Sequence, residues 1–177
     1  MVADDPTVAD ITVEADTNSF VPFYRGTRDR TVRALALTLG DVSLAAEAVD
    51  EAMARAYQRW AKVSTYDEPA GWVYRVALNW ATSVLRRRSR APRPPVDRAP
   101  TDVGPVSEPA VAAALASLAV NHRAVVVCRF YLGLSEAETA ATLGIRPGTV
   151  KSRLHRALQH LQHRLGHLHP AHPEEHA

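Results

Sequence analysis

Between Ser89 and Ala110 the chain reads "SRAPRPPVDRAPTDVGPVSEPA", and this stretch carries six of its 12 prolines. Each proline fixes φ, removes an N–H donor and pushes the preceding residue toward extended backbone, so a regular helix or interior strand cannot run through it. The 177 residues are therefore expected to form two small lobes joined by a linker at 91–110. With 46% hydrophobic residues, a core is attainable for each lobe.

Outside that stretch the hydrophobic spacing is helical. Phe20, Phe23 and Tyr24, then Val32, Leu35, Ala36 and Leu39, recur every three or four residues and stop at Gly40. A second helix is expected over 44–60, with Val49, Met53, Ala56, Tyr57 and Trp60 on one side. Pro69 suits the first turn of a third, running to about Arg88. Beyond the linker, helices are expected at 111–118, 121–132, 135–143 and 147–165, and no segment sustains β alternation. The fold class is all-α: two small helical domains, at 17–90 and 111–166. Residues 1–16 hold five acids, no base and no periodicity, and 167–177 is a histidine-rich tail; both ends are expected to be disordered.

The net charge of +2 averages over strong segregation. Six arginines fall between Arg86 and Arg98 against Asp97 alone, and Arg146 to Leu165 holds five Lys or Arg and no acid. Two basic blocks far apart in sequence point to a polyanion met at two places. The single cysteine, Cys128, excludes an internal disulfide and a cysteine-rich zinc site, and its apolar setting in "AVVVCRFYL" suits a buried thiol. The acidic N-terminus has no signal-peptide pattern, and the longest mostly apolar stretch, 110–120, is too short to span a bilayer. No membrane insertion and a cytoplasmic location are expected.

"LSEAETAATLGIRPGTVKSRL" has the punctuation of a helix-turn-helix. Ser135 and Glu138 have capping-box spacing, Ala137, Ala140 and Ala141 permit close packing, Gly144 closes the first helix and Pro147 opens the second. At 100° per residue the second helix gathers Val150, Leu154, Ala157, Leu158, Leu161 and Leu165 into one stripe. Thr149, Ser152, His155, Arg156 and Gln159 lie opposite, with Lys151 and Arg153 on the shoulders. Such a face suits a DNA major groove, where Arg156 reads a guanine edge and Thr149, Lys151 and Arg153 hold the backbone. An isolated basic helix face is more often simply solvated; the capped helix and tight turn before this one favour the DNA reading.

In the third helix Trp72, Arg75, Asn79, Ser83 and Arg86 share a face, a bed on which single-stranded bases stack while arginines follow the phosphates. A packed tryptophan helix is the plainer alternative. The second helix has the opposite sign: Asp41, Glu47, Asp50 and Glu51 precede any base, and Asp50 and Glu51 lie too far in to complement only the helix dipole, so a basic protein surface is a fair partner.

"FVPFYRGTRDRTVRALALTLGD", "LAAEAVDEAMARAYQRW", "GWVYRVALNWATSVLRRRSR" and "HRAVVVCRFYLGLSEAETAATLGIRPGTVKSRLHRALQHL" resemble successive pieces of the bacterial sigma factors of the extracytoplasmic-function (ECF) class, from about Phe20 to Leu165. The resemblance implies a region-two domain that docks on core RNA polymerase and opens the minus-ten element, and a region-four domain that binds the minus-thirty-five element. It implies that Asn79 and Ser83 capture unpaired bases and that Arg129, Lys151, Ser152, His155 and Arg156 contact the upstream duplex. It places Glu47, Asp50, Glu51 and Met53 on the core-polymerase-binding helix, with Asp50 and Met53 standing where the family usually has Gln and Phe. The loop "KVSTYDEPAGW" is shorter than the family's, and "SLAVNHRA" lacks a usual proline. An anti-sigma factor is a further implied partner beside promoter DNA.

A stand-alone helix-turn-helix regulator, binding duplex operators without polymerase, is the alternative function. A metal-responsive reading draws on His160, His163, His167, His169, His172 and His176, but no cysteine or carboxylate completes an obvious set. No metal and no cofactor are expected. Without a nucleophile-base pair or phosphate loop, an enzyme is not expected either.

Overall fold

A computed structural model describes residues 8–90 and 109–166. Among these the fold is all-α. The first lobe comprises α1 (Val8–Leu39), α2 (Val42–Gln58), α3 (Trp60–Val63) and α4 (Pro69–Arg90); the second comprises α5 (Pro109–Ala116), α6 (Val120–Val126), α7 (Glu136–Leu143) and α8 (Pro147–Leu165). The expected linker at 91–108 and tail at 167–177 lie outside the described residues, while Pro109 and Ala110 begin α5.

Two helix boundaries follow from local chemistry. Gly40, at φ +73, takes the left-handed conformation that ends α1, and its N–H donates to the Ala36 carbonyl at 2.7 Å. Asp41 then caps α2 by accepting from the Leu44 N–H at 2.9 Å, so this acid serves the helix start. The expected single helix over 44–60 breaks at Arg59 (φ −126, ψ 24), which turns Trp60 into the core. Its indole N–H donates to Ser19 at 2.7 Å, and its ring meets Phe20 edge-on and lies 4.7 Å from Phe23, centroid to centroid.

Two expectations are corrected. Residues 8–16 are helical, forming the start of α1, where the sequence reading had disorder through residue 16. The single helix expected over 121–132 is two segments: α6 gives way to a π-helical stretch, Val127–Tyr131, with the Leu132 N–H reaching back five residues to the Val127 carbonyl at 2.9 Å. The wider turn directs Val127 and Cys128 inward and leaves Phe130 66% exposed.

That inward turn joins the lobes. Val127 and Cys128 pack into the same core as Leu35, Leu44, Val49, Met53, Val73 and Tyr74 of the first lobe. The second lobe's own clusters are small: Leu118, Val126 and Ala157 in one, Val125, Ala140 and Val150 in the other. The largest apolar core thus draws on both lobes, and the second rests on the first.

Candidate nucleic-acid interface

The helix-turn-helix is built as its punctuation predicts. Ser135 accepts from the Glu138 N–H at 3.2 Å, and the Glu138 carboxylate accepts from the Ser135 N–H at 2.6 Å, completing the capping box. Hydrogen bonding to the Ser135 side chain, and then to its backbone, holds the Glu138 carboxyl below the usual carboxylate range. Gly144 adopts φ 64, ψ 38, with its N–H toward the Ala141 carbonyl at 3.3 Å and the Ile145 N–H on Ala140 at 3.0 Å. This double closure satisfies the last carbonyls of α7 and sets the angle at which α8 departs. Pro147 begins α8, and Arg146 before it supplies no side-chain cap.

On α8, Val150 and Ala157 are fully buried, while Leu154, Leu161 and Leu165 are half-buried. Leu158, expected in this stripe, is 42% exposed and lies outside it. It stands one residue from Ala157, 100° around the helix, beyond the reach of α6 and α7. Lys151, Ser152, His155, Arg156 and Gln159 are exposed, and Thr149 and Arg153 are half-buried at the edges. Lys151 approaches Glu136 at 3.8 Å, a surface pair that is easily given up. Arg129, in the π-helical stretch, donates to the Leu134 carbonyl just ahead of the Ser135 cap. It braces the entrance to the helix-turn-helix, with other guanidinium N–H groups left over.

The α4 face divides. Asn79, Ser83 and Arg86 are exposed, and the Ser83 hydroxyl donates back to the Asn79 carbonyl at 2.8 Å. Trp72 and Arg75 are half-buried against the second lobe: they line a cleft of about 590 Å³ with Ala141 and Thr142 of α7, and Arg75 reaches the Ala141 carbonyl at 3.4 Å. The five residues share one helix face, and two of them meet α7.

On α2, Glu47 is exposed, Glu51 pairs with Arg55 at 2.8 Å, and Asp50 accepts two bonds from Arg28, at 2.7 and 2.9 Å. The hydrogen bonds to Asp50 raise the Arg28 pKa. Met53 is a correction: it is 2% exposed and belongs to the first-lobe core, on the inward side of the helix that carries the acids. Family position marks the helix and not the direction a side chain takes.

The sequence reading missed Arg123. It is buried, and it donates to Thr38 of α1 at 3.1 Å and to Ala116 and Leu118 at the end of α5 at 2.7 and 2.8 Å. One guanidinium therefore serves carbonyls at the C-terminal ends of helices in both lobes. Burial lowers its pKa. An arginine beside the apolar run "AVVVC" was the available signal. His160, considered as a metal ligand, lies 2.8 Å from Ser117 and links α8 to α5; the histidines from His167 onward lie outside the described residues.

Residues 109–161, α5 to most of α8, match the family described as Sigma-70, region 4. The ECF RNA polymerase sigma factor SigL of Mycobacterium tuberculosis is 37% identical over 141 residues, covering 73% of this chain and 78% of SigL. The chain belongs to the ECF sigma factors. The RNA polymerase sigma-E factor of Streptomyces coelicolor matches this sigma factor at 32% identity over 153 residues, 82% of the chain and 85% of that protein. The fold resembles the sigma factor RpoE solved in complex with the anti-sigma factor NepR from Bartonella quintana: TM-score 0.65 at 22% identity, over 84% of this chain and 97% of that one. The family model covers the second lobe, whereas the relatives extend across both. No helix among the described residues of this sigma factor is long and apolar enough to cross a membrane.

Proposed function

We propose that this chain binds core RNA polymerase and directs it to specific promoters in the cytoplasm, acting by binding and positioning and not as an enzyme. In this reading residues 17–90 form the polymerase-binding and minus-ten domain, 91–110 the linker, and 111–166 the domain that reads the minus-thirty-five element as duplex. The exposed basic face of α8, directly after a capped and tightly turned α7, carries the reading: Arg156 faces a base edge while Lys151, Arg153 and Thr149 hold the phosphates, with Ser152, His155 and Gln159 between them. Arg129 adds a backbone contact from the entrance of the motif. The exposed Glu47, with Asp50 and Glu51, forms the acidic polymerase-facing side of α2.

Energetics explain why two partners are needed. Unstacking three or four base-pair steps forfeits on the order of 4–6 kcal/mol before pairing is counted. A stripe of Asn79, Ser83, Arg86 and the partly covered Trp72 and Arg75 is too short to recover that alone. It serves to trap bases that polymerase keeps apart. The known sigma partner of NepR supports an anti-sigma factor as a further partner here.

Transcription by purified core polymerase on a library of promoter fragments tests the reading. Promoter-selective synthesis that depends on adding this chain is the expected result. Tight duplex binding by the chain alone, with no effect on polymerase, would favour the stand-alone regulator.

A further inference from the structure

We propose that Arg123 anchors a binding site for one small monatomic anion, of the chloride class, in the seam between the lobes.

Arg123 is the one charged residue that is buried among the described residues, at 6% exposed. Of its five N–H donors, three serve the carbonyls of Thr38, Ala116 and Leu118. Those carbonyls are dipoles: they solvate a cation, and they carry no net charge to cancel it. No carboxylate pairs with the guanidinium among the described residues, whereas the more open Arg28 and Arg55 pair with Asp50 and Glu51. A unit charge withdrawn from water without a counter-ion is costly, and this one has none among its protein neighbours.

The guanidinium also has a donor to spare and room beside it. Its Nε N–H is buried and has no hydrogen-bond partner. A cavity of about 30 Å³ adjoins it, walled by Leu37 and Gly40 at the end of α1, by Ala112, Leu115 and Ala116 of α5, and by Arg123 itself. Gly40 helps to keep this space, since a Cβ there would stand 3.6 Å from Arg123 Nη1. A species the size of a water needs only about 10–15 Å³, so a halide fits, while sulfate or an organic carboxylate does not. Arg123 is the only charged residue in the wall, which excludes a cation. A water molecule accepts from Nε but leaves the charge in place. A halide accepts the same hydrogen bond and neutralises the cation.

Thermal unfolding of the full chain tests the site, with sodium chloride exchanged for sodium gluconate at constant sodium concentration and pH. Gluconate is too large for the cavity. Binding to the folded state alone raises stability with ligand concentration, so in roughly 0.3 M salt the wild type should melt at least about 2 °C higher in chloride. Ala112→Leu fills the cavity from α5 and leaves Arg123 in place; its melting point should be the same in the two salts. An equal chloride dependence in both proteins would assign the effect to surface charge and overturn the site, as would no dependence in the wild type. Should Ala112→Leu fail to fold, crystals of the wild-type chain grown in sodium bromide decide the matter. An anomalous peak within hydrogen-bond reach of Arg123 Nε is expected. Bromide found only at exposed arginines, or a water at Nε, would overturn the site. No residue of the site belongs to the faces assigned to DNA, so either failure leaves the promoter reading intact.

Discussion

The outward face of α8 and the polar stripe of α4 read alike in the sequence, each a short basic run on one side of an amphipathic helix, yet the fold treats them differently. The α8 face stays open, with Lys151, Ser152, His155, Arg156 and Gln159 all exposed. The α4 stripe loses the use of its first two members, Trp72 and Arg75, which lie against α7. A helix pattern reports which side of a helix its own lobe covers. It does not report what another lobe covers. Under the proposed function, the face assigned to the duplex is open in the packed chain, while the face assigned to single strands is open only in part.

The largest effect expected to separate the two surfaces is that of Arg156→Ala. A guanidinium on a guanine edge contributes roughly 1–3 kcal/mol of discrimination, so promoter binding by the assembled polymerase should fall about 5- to 150-fold. On a template with a pre-melted minus-ten bubble and no upstream element the variant should match the wild type. An equal loss on both templates would show that α8 and α4 do not divide the work. Asn79→Ala should give the mirror result, a smaller loss confined to steps after melting.

Gly144→Ala comes next, because Gly144 stands where the two surfaces meet: it ends α7 with positive φ, and a Cβ there would lie 3.7 Å from Arg75. That distance is ordinary contact, so the cost comes from the left-handed backbone, about 1–2 kcal/mol for a residue with a Cβ. Thermal unfolding should show a loss of this size. Duplex binding at a temperature where the variant is folded should fall less than with Arg156→Ala, since no base contact is removed.

What could be read from the sequence was what local chemistry determines. Ser135, Glu138, Gly144 and Pro147 act within a few residues of themselves, so the two helices of the motif and the turn between them were legible. The ends of α1 and α4 were legible for the same reason, at Gly40 and Pro69. The outward position of Leu158 and the π-helical stretch at Val127 depend on which neighbours arrive from elsewhere in the chain, whereas Met53 lies inward with the Val49 and Ala56 stripe it shares. The seam depends on residues such as Gly71 and Thr142, or Thr38 and Arg123, that are 71 and 85 positions apart, and no period along the chain records such pairs.

Ser135→Ala should destabilise the second lobe by about 1 kcal/mol, the usual value of an N-cap oxygen. The effect should depend on pH. Glu138's carboxyl is held below its ordinary value in the folded state, so the stabilisation it lends is fully present above the unfolded value of about 4.3. It fades as pH falls through the lower folded value. Denaturant titrations of wild type and Glu138→Gln should therefore converge at strongly acidic pH and separate toward neutrality.

Asp50→Asn is expected to have the smallest effect on stability and, for that reason, tests the acidic face of α2 cleanly. The Arg28–Asp50 pair has two good hydrogen bonds, but its side chains are 28% and 50% exposed. An ion pair so open to solvent contributes at most about 1 kcal/mol, and salt weakens it further. A change in thermal stability below that bound, shrinking in added salt, is the expected outcome. If Asp50 faces a basic surface on polymerase, the same substitution should weaken assembly with core polymerase by more than it weakens the fold. Binding of Asp50→Asn to core polymerase at several salt concentrations, compared with its unfolding midpoint under the same conditions, separates these roles. Losses equal in size would mean that Asp50 serves Arg28 alone and that the polymerase-facing side of α2 rests on Glu47 and Glu51.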